Sequence, residues 1–176
     1  RNLRVATIEA SMDDLSALRD QSFDIVHQPV STCYVPDVGA VYREIARVLR
    51  DGGLYVSQHK QPVSLQVVGR SASDQYVVGV EYYQRGPIPR SRDTLYREPG
   101  AAEYLHRLDE IIGELCRTGF VIEDFREPYR ADPKAAPGEF GHRGRFIPPY
   151  LRMKARRVPR ETPGRESPAP AIWMPQ

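Results

Sequence analysis

The sequence predicts an α/β fold built around a parallel sheet. Two short segments, Phe23–His27 and Leu54–Gln58, combine apolar and β-branched residues and are bounded by polar or turn-forming residues, which is typical of strands. The segment between them has the apolar spacing of a helix. Two strands joined by a helix favour a parallel pair, because the helical crossover carries the chain back to the end of the sheet from which it started.

Residues 3–9 predict one more strand ahead of this pair. The run Leu-Arg-Val-Ala-Thr-Ile-Glu alternates apolar and polar residues and is partly β-branched. Asp13 and Asp14 follow it in an expected loop or helix start. The first 60 residues therefore predict the order strand, loop, strand, helix, strand, which is typical of a parallel α/β sheet.

The helix between the two strands is predicted from its cap and its apolar face. Asp37 is expected to cap its start, with a side-chain oxygen accepting an unpaired backbone N–H. Gly52 and Gly53 are expected to supply the left-handed conformation that ends it. The residues that fall on one helical face are Val38, Val41, Ile45, Val48 and Leu49.

The second half of the chain predicts an insert, a helix and two closing strands. Residues 61–99 are interrupted by glycine and proline and are expected to form an insert or lid, with Tyr76–Tyr83 as an extended arm. Phe120–Arg126 and Phe146–Arg157 are predicted to be strands that pair antiparallel across a loop rich in proline and glycine. Helical periodicity and its C-cap lie between the insert and these strands, at Leu105, Leu108, Ile112, Leu115 and Gly119.

Composition limits the classes of function. The 176 residues suit one domain, and residues 159–176 are rich in proline and predict a disordered tail. A net charge of +2 gives no reason to expect a nucleic-acid partner, and the basic stretch 142–160 is expected to be a solvated strand face. No apolar stretch is long enough to span a membrane. Cys33 and Cys116 form no metal-binding or disulfide pattern, so we expect no metal and a cytoplasmic location with free thiols.

Two segments resemble a known family. Ser22-Phe23-Asp24-Ile25-Val26, followed by Tyr42-Arg43-Glu44-Ile45-Ala46-Arg47-Val48-Leu49-Arg50-Asp51-Gly52-Gly53, is similar to the signature "sFDlV … E-x-x-R-V-L-x-x-G-G". This signature is typical of class I S-adenosylmethionine-dependent methyltransferases with a type 11-like domain. Residue type, order and spacing agree with the family's fourth strand, the helix after it and the glycine turn into the fifth strand. The resemblance covers residues 3–60 well and 101–157 moderately.

The resemblance implies a Rossmann-like sheet in the strand order 3-2-1-4-5-7-6 with an antiparallel closing hairpin. The family's G-x-G-x-G turn after strand one and the acidic residue that ends its strand two are absent from this sequence. Residues 1–158 therefore correspond to the C-terminal part of the domain without strands one and two, and residues 3–9 correspond to strand three. Because strand three then lacks a neighbour, we expect residues 1–15 to be poorly anchored and the edge of strand four to be exposed.

The activity implied by the resemblance is transfer of the methyl group of S-adenosylmethionine to a small-molecule acceptor by in-line displacement. We expect that activity of the whole parent enzyme, and weak or no activity of this chain alone. A non-catalytic scaffold completed by another chain, or a homo-oligomer, is the main alternative. A nicotinamide-dependent oxidoreductase is disfavoured, because it needs its own glycine loop and usually keeps an all-parallel second half.

The resemblance also indicates where the cofactor binds. Ser11-Met12-Asp13 occupies the loop that contacts the adenine, where Ser11 stands in place of the usual acid and Asp13 or Asp14 is expected to substitute. A helix-capping acidic loop is the alternative. His27-Gln28-Pro29 ends the fourth strand and corresponds to the position that lines the methionine end of the cofactor.

Candidate acceptor-binding residues follow the same two strands. His59 and Gln61 end the fifth strand, where His59 could orient a substrate hydroxyl or act as a general base; a solvated strand end is the alternative. Tyr34 borders the expected pocket with Cys33, which is not expected to be a nucleophile because the reaction needs none. His106 is expected to pack in the core. The tyrosines of the insert could line a lid or simply cover the sheet: Tyr76, Tyr82, Tyr83 and Tyr96.

Overall fold

A computed structural model describes residues 4–91 and 95–159 of the chain. This part contains a four-stranded sheet and a separate two-stranded sheet. The strands are β1 Phe23–Gln28, β2 Leu49–Lys60, β3 Val67–Arg70, β4 Tyr76–Val78, β5 Phe120–Arg126 and β6 Tyr150–Arg157. The helical elements are a 3-10 turn Thr32–Tyr34, α1 Val38–Val48, α2 Pro62–Gln66, a π-helical segment Asp109–Glu114 that runs into α3 Leu115–Arg117, and α4 Phe140–Arg143.

The four-stranded sheet has the order β1-β2-β6-β5. β1 and β2 are parallel neighbours, with His27 opposite Val56, whereas β6 runs antiparallel to both β2 and β5. The predicted parallel pair and antiparallel closing pair are therefore confirmed. Lys60 lies opposite Tyr150, so the carboxyl ends of β1 and β2 share one end of the sheet with the start of β6. We call this the carboxyl end of the sheet.

One face of this sheet packs against α1 and the π-helical segment with α3. Side chains alternate along β6, where Leu151, Met153 and Ala155 are buried and their neighbours are exposed, as expected for a sheet with one covered face. Tyr42 and Tyr55 meet edge to face between helix and sheet, with ring centroids 6.0 Å apart. The helical side chains of this core include Val38, Val41, Ile45, Ala46, Ile111 and Leu115.

The cap of α1 is confirmed, but the position of its end differs from the prediction. Asp37 Oδ1 accepts a hydrogen bond from the Ala40 backbone N–H at 3.1 Å. The helix ends at Val48, and Leu49 already has extended backbone. Gly52, with φ of +77°, lies beyond the helix and inside β2, where the register of β2 against β1 shifts between Leu49 and Leu54. Its left-handed conformation therefore belongs to this irregularity of the strand, and the extended backbone of Leu49 ends the helix.

Residues 4–10 do not form the predicted strand. They have no regular structure, and Val5 and Ile8 remain 81% and 56% exposed. The sequence alternation is correct for a strand, but within the described residues no strand lies beside this segment to pair with its backbone groups. A strand needs such a neighbour, because its N–H and C=O groups are otherwise left without partners.

Residues 15–20 are held against α1 by two residues of the E-x-x-R motif. Glu44 accepts a hydrogen bond from the Leu15 backbone N–H at 2.8 Å. Arg47 donates to the carbonyl oxygens of Leu15 and Leu18, both at 2.8 Å, and pairs with Asp20 at 2.7 Å. Within the described residues, the expected poor anchoring of residues 1–15 therefore holds for the exposed residues 4–11 and ends at Met12, which packs against the core.

Three further predictions about the second half need correction. The predicted helical face begins after Leu108, because Leu105 lies in a loop and packs in a second apolar cluster with Leu65, Val80 and Ile88. The extended arm Tyr76–Tyr83 shrinks to the three residues of β4. The last strand starts at Tyr150, since the residues before it form α4 and the following turn.

The remaining features concern the end of the third helix and the chain terminus. Gly119, with φ of +88°, follows α3 and donates its N–H to the Cys116 carbonyl at 3.0 Å, so the predicted C-cap is confirmed. Apart from Pro159, the predicted tail 159–176 lies outside the described residues. None of the helices in the described ranges has both the length and the apolar character needed to cross a membrane.

Candidate functional site

The loops that leave the carboxyl end of the sheet pack over it. The Gln61 N–H donates to the Pro149 carbonyl at 3.0 Å, which joins the loop after β2 to the loop before β6. Tyr104 donates its N–H to the Cys33 carbonyl at 2.7 Å, which joins the segment after the insert to the loop after β1. Four segments are thus fixed around the strand ends where ligands bind in α/β sheets.

The two segments predicted to bind the cofactor meet at this end of the sheet. Gln28 donates its side-chain N–H to the Met12 sulfur at 3.3 Å, and its side-chain oxygen accepts a hydrogen bond from the Tyr55 hydroxyl. Gln28 is buried, and Met12 packs in part against the core. The structure therefore brings the Ser11–Asp13 loop to the end of β1, as the resemblance implies.

The other residues of these two segments are more open. Ser11 is exposed and donates its hydroxyl to the carboxylate of Asp13, which is half-buried. His27 and Pro29 are exposed and line a cavity of about 550 Å³ on the sheet face that α1 does not cover. The cofactor-binding role of Ser11, Asp13, His27 and Pro29 stays a prediction, because the contacts described for these residues do not bear on cofactor binding.

His59 lies inside the protein and not in an open pocket. It is 1% exposed, with Nδ1 2.9 Å from the Thr32 hydroxyl and Nε2 2.8 Å from the Ser57 hydroxyl. Burial, together with the charge of nearby His106, lowers the pKa of His59 to about 3. A neutral ring with both nitrogens engaged favours a structural role, in which His59 holds the Thr32–Tyr34 turn, over the general-base role that the sequence left open.

His106 also serves the core, although it lies in a loop and not on the predicted helix. Its Nε2 lies 3.0 Å from each of the carbonyl oxygens of Thr32 and Val35, so this nitrogen carries the proton and donates to both. Burial lowers the pKa of His106. This environment matches the core-packing role expected from the sequence.

A buried group of charges at the carboxyl end was missed by the sequence reasoning. Lys60 Nζ lies 2.9 Å from Glu103 Oε2, and the two side chains are 8% and 0% exposed. Arg97 Nε lies 3.5 Å from the same carboxylate oxygen. The signal in the sequence was a lysine placed at the end of a buried strand, because a charge in that position needs a counter-ion.

The predicted acceptor-binding residues Tyr34 and Gln61 border this charged group and are also engaged. Tyr34 donates its hydroxyl to Glu98 at 2.5 Å, and burial together with this hydrogen bond raises the pKa of Tyr34. The Gln61 side-chain oxygen accepts from the Val63 N–H at 2.6 Å and so caps α2. Burial raises the pKa of the Cys33 thiol to about 11, in keeping with the expectation that Cys33 is not a nucleophile.

The tyrosines of the insert do not form one cluster. Tyr96 is buried and donates to the Phe140 carbonyl at 2.9 Å, while Tyr82 accepts from the Leu108 N–H at 3.2 Å. Tyr83 is 76% exposed. Tyr76 contacts His142 through a hydrogen bond of 2.8 Å between its hydroxyl and Nδ1. His142 was not singled out from the sequence, since it is one histidine in a loop without a motif.

The strand order, the antiparallel closing pair and the position of the loops define a Rossmann-like methyltransferase fold. Residues 1–57 match the sequence profile of a family described as a methyltransferase domain. A solved S-adenosylmethionine-dependent methyltransferase from Mesorhizobium loti is 26% identical with a TM-score of 0.65, and the match covers 84% of this chain and 67% of that one. These matches and the fold support a class I S-adenosylmethionine-dependent methyltransferase domain.

Two curated relatives support this assignment and define its extent. The uncharacterized methyltransferase YbaJ of Bacillus subtilis is 31% identical over 130 residues, which are 71% of this chain and 51% of YbaJ. The 24-methylenesterol C-methyltransferase 2 of Oryza sativa is 36% identical over 118 residues, which are 67% of this chain and 28% of that enzyme. The chain therefore spans about half the length of one curated relative and less of the other.

Proposed function

We propose that this chain forms the acceptor side of an enzyme that transfers the methyl group of S-adenosylmethionine to a small-molecule acceptor. One observation carries the proposal: the parallel strands β1 and β2 end side by side beneath packed loops, and the Ser11–Asp13 loop reaches the same place through the Gln28–Met12 contact. A pocket at the carboxyl ends of parallel strands suits a cofactor and its substrate.

The residues present fit one wall of the cofactor site. Met12 and Gln28 would hold this wall, and the half-buried Asp13 carboxylate would accept a hydrogen bond from the adenine amine. The sulfonium cofactor supplies a methyl group already activated by positive charge. The task left to this chain is to orient the acceptor and to exclude water, which the loops over the carboxyl end are placed to do.

Four features agree with a small acceptor and a reducing compartment. The net charge of +2 offers no basis for nucleic-acid binding. Cavities among the described loops measure about 320 to 610 Å³, which is the size of small-molecule sites. The relative from Oryza sativa is, by its name, a sterol C-methyltransferase. The buried, protonated Cys33 and the unpaired Cys116 favour a cytoplasmic location.

Calorimetric titration with S-adenosylhomocysteine tests the proposal. We expect weak, saturable binding, because the chain carries one wall of the site. Gln28→Met and Asp13→Asn should each reduce the affinity, whereas Asp51→Asn, at an exposed carboxylate near the start of β2, should leave it unchanged. Folded chain without saturable binding would contradict the cofactor role. Robust methyl transfer by the isolated chain would contradict the expectation that it contributes only one side of the enzyme.

The main alternative is a scaffold completed by another chain, and the free edge of β1 favours it. Within the described residues, β1 pairs with β2 and with nothing on its other side, and it leaves Ile25 59% exposed and Phe23 38% exposed. Unpaired edges of this kind accept further strands. Sedimentation velocity of the wild-type chain and of Ile25→Lys distinguishes the two cases: a concentration-dependent dimer that the lysine abolishes supports the scaffold.

A further inference from the structure

A tyrosine and a histidine from two distant segments of the chain form a hydrogen-bonded pair. The Tyr76 hydroxyl, in β4, lies 2.8 Å from Nδ1 of His142, in α4. His142 is 9% exposed, and the ring centroids of the pair are 5.8 Å apart. The contact fixes the orientation of the imidazole, because one of its two nitrogens is committed to the tyrosine.

The other nitrogen of His142 is available to a ligand. Among the described residues, Nε2 makes no hydrogen bond to another protein atom, and it is not fully buried. A cavity of about 610 Å³ lies against the pair. Its lining is formed by Ser73, Asp74, Gln75, Tyr76, His142, Phe146 and Ile147. Asp74 is already paired with Arg70. On the side of the cavity formed by Tyr76, His142 and Phe146, the imidazole is therefore the group that is available for a hydrogen bond.

Phe146 supplies an exposed aromatic surface beside the imidazole. Its ring lies 5.3 Å from the His142 ring and 5.8 Å from the Tyr76 ring, measured between centroids. Phe146 nevertheless leaves 62% of its surface in contact with solvent. An exposed aromatic ring next to an oriented polar group is suited to a ligand that has a flat apolar body and one hydrogen-bonding group.

This cavity belongs to the loops that cover the carboxyl end of the sheet. α4 precedes β6, whose first residue Tyr150 lies opposite Lys60 at the end of β2. Arg143, the neighbour of His142, donates to the Ser64 carbonyl in α2. The pair is therefore anchored to the two segments that flank the strand ends.

We propose that Tyr76, His142 and Phe146 form a binding site for a small aromatic molecule with a hydroxyl group. Nε2 of His142 hydrogen-bonds the hydroxyl, Phe146 contacts the flat ring, and Tyr76 acts as a positioning residue that orients the imidazole. The further assignment of this site to the methyl acceptor rests on the proposed function. Binding of the aromatic ligand does not depend on the proposed function, so binding and methyl transfer are tested separately.

Titration with p-cresol, followed by NMR of the histidine ring nitrogens, tests this site without any cofactor. The chain has four histidines, and the His142 variants identify the signals of that residue. We expect p-cresol to shift Nε2 of His142 in a saturable way and toluene, which lacks the hydroxyl, to bind at least about tenfold more weakly. Failure of p-cresol to move these signals in the folded protein would overturn the proposal, whatever the outcome of the S-adenosylhomocysteine titration.

Matched variants separate ligand binding from a purely structural contact. His142→Asn keeps a polar group near the position of Nδ1 for Tyr76 but removes Nε2, so its thermal unfolding midpoint should stay close to that of the wild type while p-cresol affinity falls about tenfold. Tyr76→Phe should weaken binding less, because it removes the orienting hydroxyl alone. Tyr129→Phe, an exposed tyrosine of another loop, is the control. Equal p-cresol affinity in His142→Asn and wild type would contradict the proposed contact.

Discussion

Glu103→Gln should destabilise the protein strongly, because it leaves the buried ammonium of Lys60 without its counter-ion. At the observed 2.9 Å and an effective dielectric constant of about 20, the Coulomb attraction between the two charges is about 6 kcal/mol. The cost of removing both charges from water offsets most of that attraction. Breaking such a pair on one side costs about 3–5 kcal/mol, since the remaining charge stays buried.

The side chains around the pair sharpen this expectation. Lys60 is 8% exposed, and its other close contact is the face of the Tyr34 ring, 5.8 Å from Nζ to the centroid. A ring face of this kind contributes about 0.5–2 kcal/mol, which does not replace the carboxylate. Replacing both partners by Lys60→Met and Glu103→Leu removes both charges. This double variant should therefore lose less free energy of unfolding than Glu103→Gln, with a residual cost because Arg97 also loses the carboxylate with which it pairs.

Urea unfolding followed by circular dichroism measures these differences, with linear extrapolation to water and comparison of the slopes. Glu114→Gln is the control, because it breaks the exposed pair with Arg117 on a helix surface and should cost at most about 0.5 kcal/mol. A loss below about 1 kcal/mol for Glu103→Gln would refute the reasoning. The reasoning would also be refuted if the double variant lost as much free energy of unfolding as Lys60→Met and Glu103→Leu lose together when each is made singly, because the two positions would then be independent.

Three more outcomes follow from the described contacts. His59 is neutral in the fold with a pKa of about 3, so its contribution to stability is complete above pH 6.5 and is lost as the pH falls toward 3. In His59→Asn, the free energy of unfolding should therefore depend less steeply on pH over this range, by up to about 1.4 kcal/mol per pH unit. In the native protein at neutral pH, a thiol reagent should modify the exposed Cys116 and spare the buried Cys33, whose pKa is about 11, until urea exposes both. Gly119→Ala should lower the free energy of unfolding by about 1 kcal/mol or more, because the residue has φ of +88° and a Cβ would lie 2.5 Å from Arg157 Nη1.

The sequence predicted the parallel strands, α1 and the closing pair because each depends on its own pattern. The apolar, β-branched segments Phe23–His27 and Leu54–Gln58 predicted strands that the structure extends to Phe23–Gln28 and Leu49–Lys60, and the Asp37 cap depends only on the next turn of its own helix. Residues 3–9 failed as a strand because strand formation also depends on a neighbouring segment. Leu105 failed as a helical residue because an apolar side chain at helical spacing fits equally well into a loop packed on a second cluster.

The site was harder to predict, since burial decides the chemistry of each polar residue and burial is a property of the whole fold. His59 and Gln61 have the residue types of a binding site and the right place in the chain. Their polar atoms are nevertheless used by Thr32, Ser57 and the start of α2. The pairing of Lys60 with Glu103 joins residues far apart in the chain, so no local sequence pattern predicts it.

The motif that carries the resemblance to the methyltransferases therefore reports on architecture more than on substrate. Glu44 and Arg47 of the E-x-x-R motif hold residues 15–20 against α1, and Gly52 lies inside β2 where its register against β1 shifts. Neither element touches the cavity beside Tyr76 and His142. In-line methyl transfer asks the protein mainly to orient two molecules, so acceptor choice can reside in loops whose sequence carries no motif. For this chain, the loops over the carboxyl end of the sheet are where that choice is to be sought.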